Sequence, residues 1–444
     1  MNEISRQSTD IWAADWSDTS YWLDGLAPPN LPETPLPREV DVVIVGSGYT
    51  GLNAAIEVAR GGRSTLVLEA ETPGWGCSTR NGGQISTSIK PSLDKLAARH
   101  GRDRAAAIRG EGRAALEWIE DRIKAENIDC DFRRAGRFHA AHTPAAYEEL
   151  ARDTEKLRRD EGIEVHMIPR AEQRGELGTD TYYGGALFAA HSALNPALYH
   201  HGLLKTALAA GAQVLGQTPV LAISRSGARH EVETSRGPVL ARDVIVATNG
   251  YTTALTPWQQ RRVIPIGSYV IATEPLAKDL IDRLFPTDRV VSDTCKVVYY
   301  YRASPDRTRI LFGGRVSASE TDTRISGPRL HADMCRIFPE LSTANISHSW
   351  MGTVAYTFDE LAHTGTHDGV HYAMGYCGSG VSMASYLGMR MGQKVLGLAE
   401  GRTAFDDLPF PTRPFYTGRP WFLPAAVAWY RWRDTRQRER AQAG

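Results

Sequence analysis

The stretch that most constrains this chain is Glu39–Arg60, EVDVVIVGSGYTGLNAAIEVAR. Its first seven residues are dominated by β-branched side chains, which reads as a strand buried on both faces of a parallel sheet. The run leads directly into Gly46-Ser47-Gly48-Tyr49-Thr50-Gly51, and Leu52–Arg60 reads as a helix. In such a turn Gly46 permits the tight reversal, Gly48 lets backbone approach a pyrophosphate, and Gly51 lets helix pack on strand. The helix N-terminus adds N–H donors and a partial positive charge. A second buried strand, Ser64–Leu68, ends in Glu69-Ala70, where an acidic side chain would grip a ribose diol. A bare GxGxxG is common. Strand, glycines, helix, strand and terminal acid together specify a dinucleotide site, and Glu69 in place of a basic residue disfavours NADP.

The totals narrow the partners. At 444 residues the chain exceeds one simple core and implies two domains or one elaborate α/β body. Lys+Arg and Asp+Glu both number 51, so no global field favours nucleic acid. The start MNEISRQSTDIW lacks a basic region followed by an apolar run, so no secretory leader is expected, and no apolar window suggests a transmembrane segment. Five cysteines, in no close pair, predict neither a disulfide framework nor a metal site, and a cytoplasmic location is the default.

The phosphate loop alone does not separate NAD from FAD. Residues Ala70–Ser86, AETPGWGCSTRNGGQIS, form a long small-residue connection where a NAD-type domain would begin another βα unit. With that segment the chain resembles the FAD-dependent amine and amino-acid oxidoreductases of the D-amino-acid oxidase, glycine oxidase and sarcosine oxidase type. Within that family the likeness is greatest to γ-glutamylputrescine oxidoreductase-like enzymes. It extends over SYWLD (Ser20–Asp24), ALNPALYHHGLLKTALAAGAQV (Ala193–Val214), VIVATNGYT (Val244–Thr252) and RRVIPIGSYVIATEPL (Arg261–Leu276). It continues through YYRASPDRTRILFGGR (Tyr300–Arg315), GYCGSGVSMASYLG (Gly375–Gly388) and PWFLPAAVAWYRWRD (Pro420–Asp434).

The resemblance implies an α/β fold in which a discontinuous Rossmann-like FAD-binding domain carries a mixed α+β cap built on an antiparallel sheet. The expected FAD-binding segments are 1–88, 193–261 and 351–410, the cap is 89–192 and 262–350, and 411–444 is a C-terminal extension with an amphipathic helix. The residues agree where they can be read alone. Pro196–Ala210 reads as a helix closed by Gly211, and Ala212–Leu215 as a short strand. Asp243–Ala247 is a buried run ending in Thr248-Asn249-Gly250, which would bring backbone to the cofactor from a second edge. Val370–Met374 reads as a strand, after which Gly375, Gly378, Ser379 and Gly380 open a helix starting Val381-Ser382. The resemblance places that helix N-terminus at the flavin pyrimidine edge. It also sets Val220 and Gly352 beside the cofactor.

Amine oxidation by a flavin places the carbon next to the amine over N5, keeps the amine neutral and excludes water. Val297–Arg302, VVYYYR, reads as a strand with Tyr299 and Tyr301 on one face and Tyr300 on the other. The resemblance makes Tyr300 the tyrosine over the ring. It puts Leu311 where sarcosine oxidases carry an oxygen-activating lysine, Ser382 where they carry a carboxylate-binding lysine, and Arg315 at the site of their histidine. Lys296 could replace the missing lysine or lie on the surface, and Arg315 could bind substrate or end a strand. The electron acceptor, O2 or a quinone or other electron carrier, stays open. The small-molecule substrate is expected to be a γ-glutamylputrescine-like amine, with a cyclic amino acid such as L-pipecolate or proline as the alternative. A non-catalytic FAD-binding subunit and a NAD-linked dehydrogenase are the readings from other classes.

GWGCSTRNGGQIS raises its own question, because Cys77 could be a nucleophile, a flavin attachment point or a small residue beside the cofactor. In the resemblance the attaching cysteine falls on Gly352, so noncovalent FAD is expected. Cys377 is the rival thiol, or a small filler. Trp75 could cover the cofactor or the core, and Arg80 could face pyrophosphate, substrate or solvent. Backbone of Gly76, Ser78, Asn81, Gly82, Gly83 and Gln84 is expected to meet the ring. His200 and His201 read as structural or exposed. The aromatic Trp421–Trp432 segment reads as covering a core edge or an oligomer contact, with a membrane-surface helix as the alternative.

Overall fold

The computed structural model describes residues 11–87, 89–315 and 322–443. The first ten residues, where no secretory leader is expected, and residue 88, the end of the first expected FAD-binding segment, lie outside the described residues.

The β-branched run Glu39–Val45 is the centre of one sheet, with Val42, Val43 and Ile44 fully buried. Thr65–Leu68 and then Gln213–Leu215 pair beside it in parallel, and Gly237–Val246 pairs on its other edge. Val370–Met374 joins Gly237–Val246 in parallel, and hairpins complete eight strands among the described residues. Helices Tyr49–Arg60, Pro196–Ala209 and Gly380–Val395 cover one face, where Leu52, Ile56, Leu203 and Leu387 are fully buried or nearly so. The fold is thus α/β, built on a Rossmann-like parallel core.

Gly51 sets the fit of the first helix on its strand. A Cβ there would stand 1.9 Å from the Gly46 carbonyl oxygen, so any side chain forces the two apart. Gly46 itself has φ +102 and passes 3.2 Å below the Ala247 carbonyl oxygen, measured from an ideal Cβ.

The second sheet has nine strands among the described residues. Its order is Trp12–Ser17, Ile346–Thr357, Val263–Thr273, Ile310–Gly314, Tyr299–Ala303, Val290–Asp293, Arg137–Ala140, Gly185–Phe188 and Val165–Ile168. All neighbours are antiparallel except Trp12–Ser17 on Ile346–Thr357 and Val290–Asp293 on Arg137–Ala140. The outer face packs on helix Thr323–Ile337 through Tyr269, Tyr299, Tyr301, Phe312, Leu330 and Met334. Tyr300 faces the other way, beside Trp22, Val270, Leu311 and Trp350, as strand alternation requires.

Three segments fall on the other side of the expected domain limits. Trp12–Ser17 and all of Ile346–Thr357 belong to the nine-stranded sheet, so the limit at 351 cuts a strand. Helices Leu93–His100 and Arg102–Ala125, expected in the cap, bury Leu96, Ile108, Leu116 and Ile119 in the core shared with Leu52 and Leu387. The expected C-terminal helix runs from Leu423 to Ala443. Its first turns and Tyr416 cover Ile264 and Ile266 at a core edge, while Trp421 stays 70% exposed.

Gly51→Ala should cost about 1–3 kcal/mol as overpacking against the Gly46 carbonyl. Gly110→Ala, in a helix with open space at that Cβ, should be neutral or stabilising by about 1 kcal/mol. Denaturant unfolding of both variants checks the contrast; equal stabilities would show that the strand–helix contact is not tight.

Candidate active site

The phosphate loop is held from below. Glu69 Oε2 accepts from the Ser47 N–H at 2.9 Å and the Ser47 hydroxyl at 2.7 Å, and Oε1 accepts from the Glu71 N–H at 3.1 Å. A carboxylate has about four acceptor positions, so one remains for a diol. His200, fully buried, bonds the Ser47 carbonyl oxygen through Nε2 at 2.8 Å, which makes it structural as read. Burial pushes its ring down to about 4, so it stays neutral and acts as a donor here. Gly48 caps the following helix without a side-chain acceptor, and the Tyr49 N–H reaches Ser78 Oγ at 3.1 Å. The helix start therefore still presents donors to an anion, and the loop fits a dinucleotide pyrophosphate. Ala70 is exposed beyond it, and the chain before Val220 runs back along Glu69, with the Thr218 N–H donating to the Glu69 carbonyl at 2.8 Å.

The segment Thr79–Gly83 is held by its carbonyls. Ser20 Oγ donates to the Thr79 carbonyl at 2.9 Å, Trp350 Nε1 to that of Arg80 at 2.9 Å, and Trp22 Nε1 to that of Asn81 at 2.8 Å. In trans peptides the next N–H points opposite each carbonyl, so those of Asn81 and Gly82 turn away from the indoles. Asn81 Oδ1 accepts from the Gly83 N–H at 2.8 Å and closes the turn, and Gln84 Nε2 reaches the Val291 carbonyl at 3.3 Å. Trp22 and Trp350 escaped the sequence reading, because nothing local marks two distant indoles as donors to one loop. SYWLD was the available signal.

Arg80 lies over the Trp75 ring, 4.9 Å from its centroid, and Trp75 in turn meets Tyr251 edge-on at 5.6 Å beside Gly76. Trp75 is 45% exposed, so it covers the rim rather than the core.

The opposite wall is the inner face of the nine-stranded sheet. The Tyr300 ring lies across Gly313, where a Cβ would stand 2.3 Å from Cε2, and against Gly82. Its hydroxyl pairs with Ser268 Oγ at 2.8 Å, and burial pushes it up to about 12. The Tyr300 hydroxyl is therefore protonated at neutral pH. Arg315 places its guanidinium 5.3 Å from the Tyr356 ring centre, and its carbonyl accepts from Arg431 of the C-terminal helix at 3.3 Å. Lys296 does not join them. It is exposed in the turn before the strand, which starts at Tyr299, and carries no hydrogen bond or ion pair among the described residues. Leu311 is buried among Val270, Ala272 and Trp350.

The second glycine turn meets the first through Asn249 and Thr50. Asn249 Oδ1 accepts from the Gly375 N–H at 2.9 Å, and Thr50 Oγ1 pairs with Tyr376 Oη at 2.6 Å. Thr248 bonds Thr252, Gly250 packs on the Thr353 carbonyl, and Ser382 Oγ donates to the Ser86 carbonyl at 3.3 Å. Helix Gly380–Val395 starts with no cap bond from the Ser379 side chain, and Gly378 and Val381 flank that start. Cys377 donates its thiol to the Gly375 carbonyl at 3.1 Å. Cys77 Sγ lies 3.1 Å from the point a Cβ of Gly352 would occupy.

Burial pushes the Cys77 thiol up to about 12, against the opposing pull of Arg80, and the Cys377 thiol up to about 11. Neither is a thiolate at neutral pH, which removes the nucleophile reading of Cys77. Iodoacetamide at pH 8 should therefore spare both in the folded protein and modify both in urea, as peptide mass mapping would read. Fast alkylation of folded Cys77 would contradict the burial.

Among the described residues no cluster of three metal-ligating side chains occurs, and no helix is long and apolar enough to cross a membrane. The DAO family model, described as FAD dependent oxidoreductase, matches residues 41–394. Gamma-glutamylputrescine oxidoreductase of Escherichia coli (strain K12) is 32% identical over 412 residues, 89% of this chain and 92% of that protein. The probable oxidoreductase OrdL of Haemophilus influenzae is 29% identical, over 86% of this chain and 88% of its own length. Among solved structures, glycine oxidase from Geobacillus kaustophilus superposes with a TM-score of 0.70 at 19% identity, covering 85% of this chain and 99% of that one. With a dinucleotide loop and a glycine-lined face opposite Tyr300, the chain belongs to the DAO family of FAD-dependent oxidoreductases acting on amine and amino-acid donors.

Proposed function

We propose that this chain oxidises the C–N bond of a primary or secondary amine, a γ-glutamylputrescine-like compound first, giving an imine that water hydrolyses. The observation that carries the reading is the facing pair of walls: the turn at Asn81-Gly82, with its N–H groups turned outward, and Tyr300 pressed across Gly313. The name of the 32% identical relative supports the substrate. Bound FAD supplies the two-electron acceptor for the carbon next to the amine.

In this reading the eight-stranded sheet and its helices hold FAD, over segments 1–88, 193–261 and 351–410 less the exchanged strands. The nine-stranded sheet is the cap. Pyrophosphate meets Gly46, Gly48 and the start of helix Tyr49–Arg60, and Glu69 keeps one acceptor for ribose. Asn81, Gly82 and Gly83 face the ring, and the donors at Gly378–Val381 face its pyrimidine edge. Tyr300 positions substrate, with Ser268 fixing its hydroxyl, and Arg315 lines the mouth. Noncovalent attachment is the reading because Gly352 stands where the resemblance puts an attaching cysteine, and five free cysteines suit a cytoplasmic setting. Leu311, buried where the resemblance calls for lysine, favours a quinone or other carrier over O2 as acceptor.

Anaerobic titration of the yellow protein tests the reading. γ-Glutamylputrescine should bleach the flavin at lower concentration than putrescine, L-proline, L-pipecolate or sarcosine. If no amine reduces it, amine oxidation is wrong. Reoxidation of the reduced protein should be slow in O2 and fast with a soluble quinone. Guanidinium should release all the flavin into a filtrate. Tyr300→Phe, which removes one hydroxyl bond, should lower kcat/KM by about tenfold or less.

A further inference from the structure

Arg137 and His139 stand two residues apart on Arg137–Ala140, so both lie on the inner face while Phe138 and Ala140 enter the outer core. Strand register sets Tyr300, Ser292 and His139 in one row across three neighbouring strands. Two strand spacings make that row about 10 Å long. His139 Nδ1 is fixed on Ser292 Oγ at 2.9 Å.

Arg137 differs from the other sheltered arginines, which find a carboxylate or, like Arg302, backbone carbonyls. Arg109, Arg122 and Arg289 each hold a glutamate. Arg137 has no hydrogen bond and no ion pair among the described residues; it lies over the Phe188 ring at 4.9 Å, and its Nε is buried without a partner. It is closely surrounded yet still open on one side. Burial lowers it to about 10, leaving it charged at neutral pH.

The histidines around it are uncharged at neutral pH and offer it no counter-charge. His139 is pushed down to about 3 by burial and by Arg137, Lys90 and His142. His191, 1% exposed, bonds Thr87 Oγ1 through Nε2 at 3.1 Å and leaves Nδ1 without a partner; burial, Arg137 and His139 hold it neutral. Lys90 is exposed, with Cε 3.9 Å from the point a Cβ of Gly378 would occupy. A sheltered cation with no counter-charge is costly unless a ligand brings the anion.

We propose that Arg137, with Lys90 in electrostatic reach of the adjoining His139, binds a carboxylate at the far end of the substrate, about 12 Å across the sheet face from the amine carbon at Tyr300, two strand spacings over and two residues along. This rests on the amine-oxidation reading and narrows it. The substrate class is an amine joined by a flexible chain to a remote carboxylate. An α-amino acid, whose carboxylate adjoins the reacting carbon, cannot reach both places. The positive charge of Arg137 and Lys90 also disfavours an ammonium ion nearby and so favours the neutral amine that oxidation requires.

Calorimetric titration of the FAD-loaded protein with glutarate reads the subsite without turnover. Wild type should bind, Arg137→Gln should bind at least about tenfold more weakly, and Arg137→Lys should fall between. Lys90→Met should weaken glutarate by a smaller factor, and it serves if Arg137→Gln does not fold. In a second arm, γ-glutamylputrescine should reduce the flavin at lower concentration than its α-carboxamide. Equal glutarate binding by wild type and the Arg137 variants, or no binding by wild type, overturns the subsite. Equal reduction by acid and carboxamide also overturns it, with amine oxidation left standing. If no amine reduces the flavin but glutarate binding still depends on Arg137, the carboxylate subsite stands and the proposed reaction falls.

Discussion

The site depends on a brace beneath the phosphate loop. Glu69 draws in the N–H and hydroxyl of Ser47, and His200 holds the Ser47 carbonyl from the helix behind. These bonds join the ends of two parallel strands to a third segment more than a hundred residues away. With the loop fixed, the start of helix Tyr49–Arg60 keeps its donors aimed outward, and Thr50 can reach Tyr376 to align the second glycine turn. An unbraced glycine loop would lose that order, since glycine gives up more backbone freedom on folding than other residues.

Much of this was legible in the chain. The loop, its flanking strands and the acid at position 69 carry local signals, and each lies where the pattern put it. Strand alternation correctly separated Tyr300 from Tyr299 and Tyr301. The misplacements share one cause. Helices over 93–125 and strands 12–17 and 346–357 have periodicity that declares the element but not its partner, and pairing across hundreds of residues leaves no local mark. Lys296 took the surface reading because the strand starts at Tyr299, two residues later than expected, leaving it in an exposed turn. Arg137 was invisible for a different reason. Arg-Phe-His-Ala is an ordinary half-buried strand, and its missing counter-charge exists only once all neighbours are in place.

The formal charge of the whole chain is zero, yet charge is not evenly spread. Elsewhere arginines find carboxylates, often twice over, as Arg122 does with Glu57 and Glu126. Along the inner sheet face Arg137, Arg302 and Arg315 have no acid bonded to them among the described residues, and Arg302 instead donates to the Leu194 and Ala303 carbonyls. Neutrality overall and a positive sheet face locally are compatible because screening in water confines each effect to about a Debye length.

The discontinuity of the nucleotide sheet has a consequence for biosynthesis. Val370–Met374 completes the parallel core, and Asn249 cannot anchor the second glycine turn until Gly375 exists. A nascent chain can form the first strand–loop–helix early, but its dinucleotide groove lacks one wall until translation has passed Gly375. Cofactor capture is therefore a late event, and a ribosome-bound chain must shelter the β-branched centre of its sheet in the meantime.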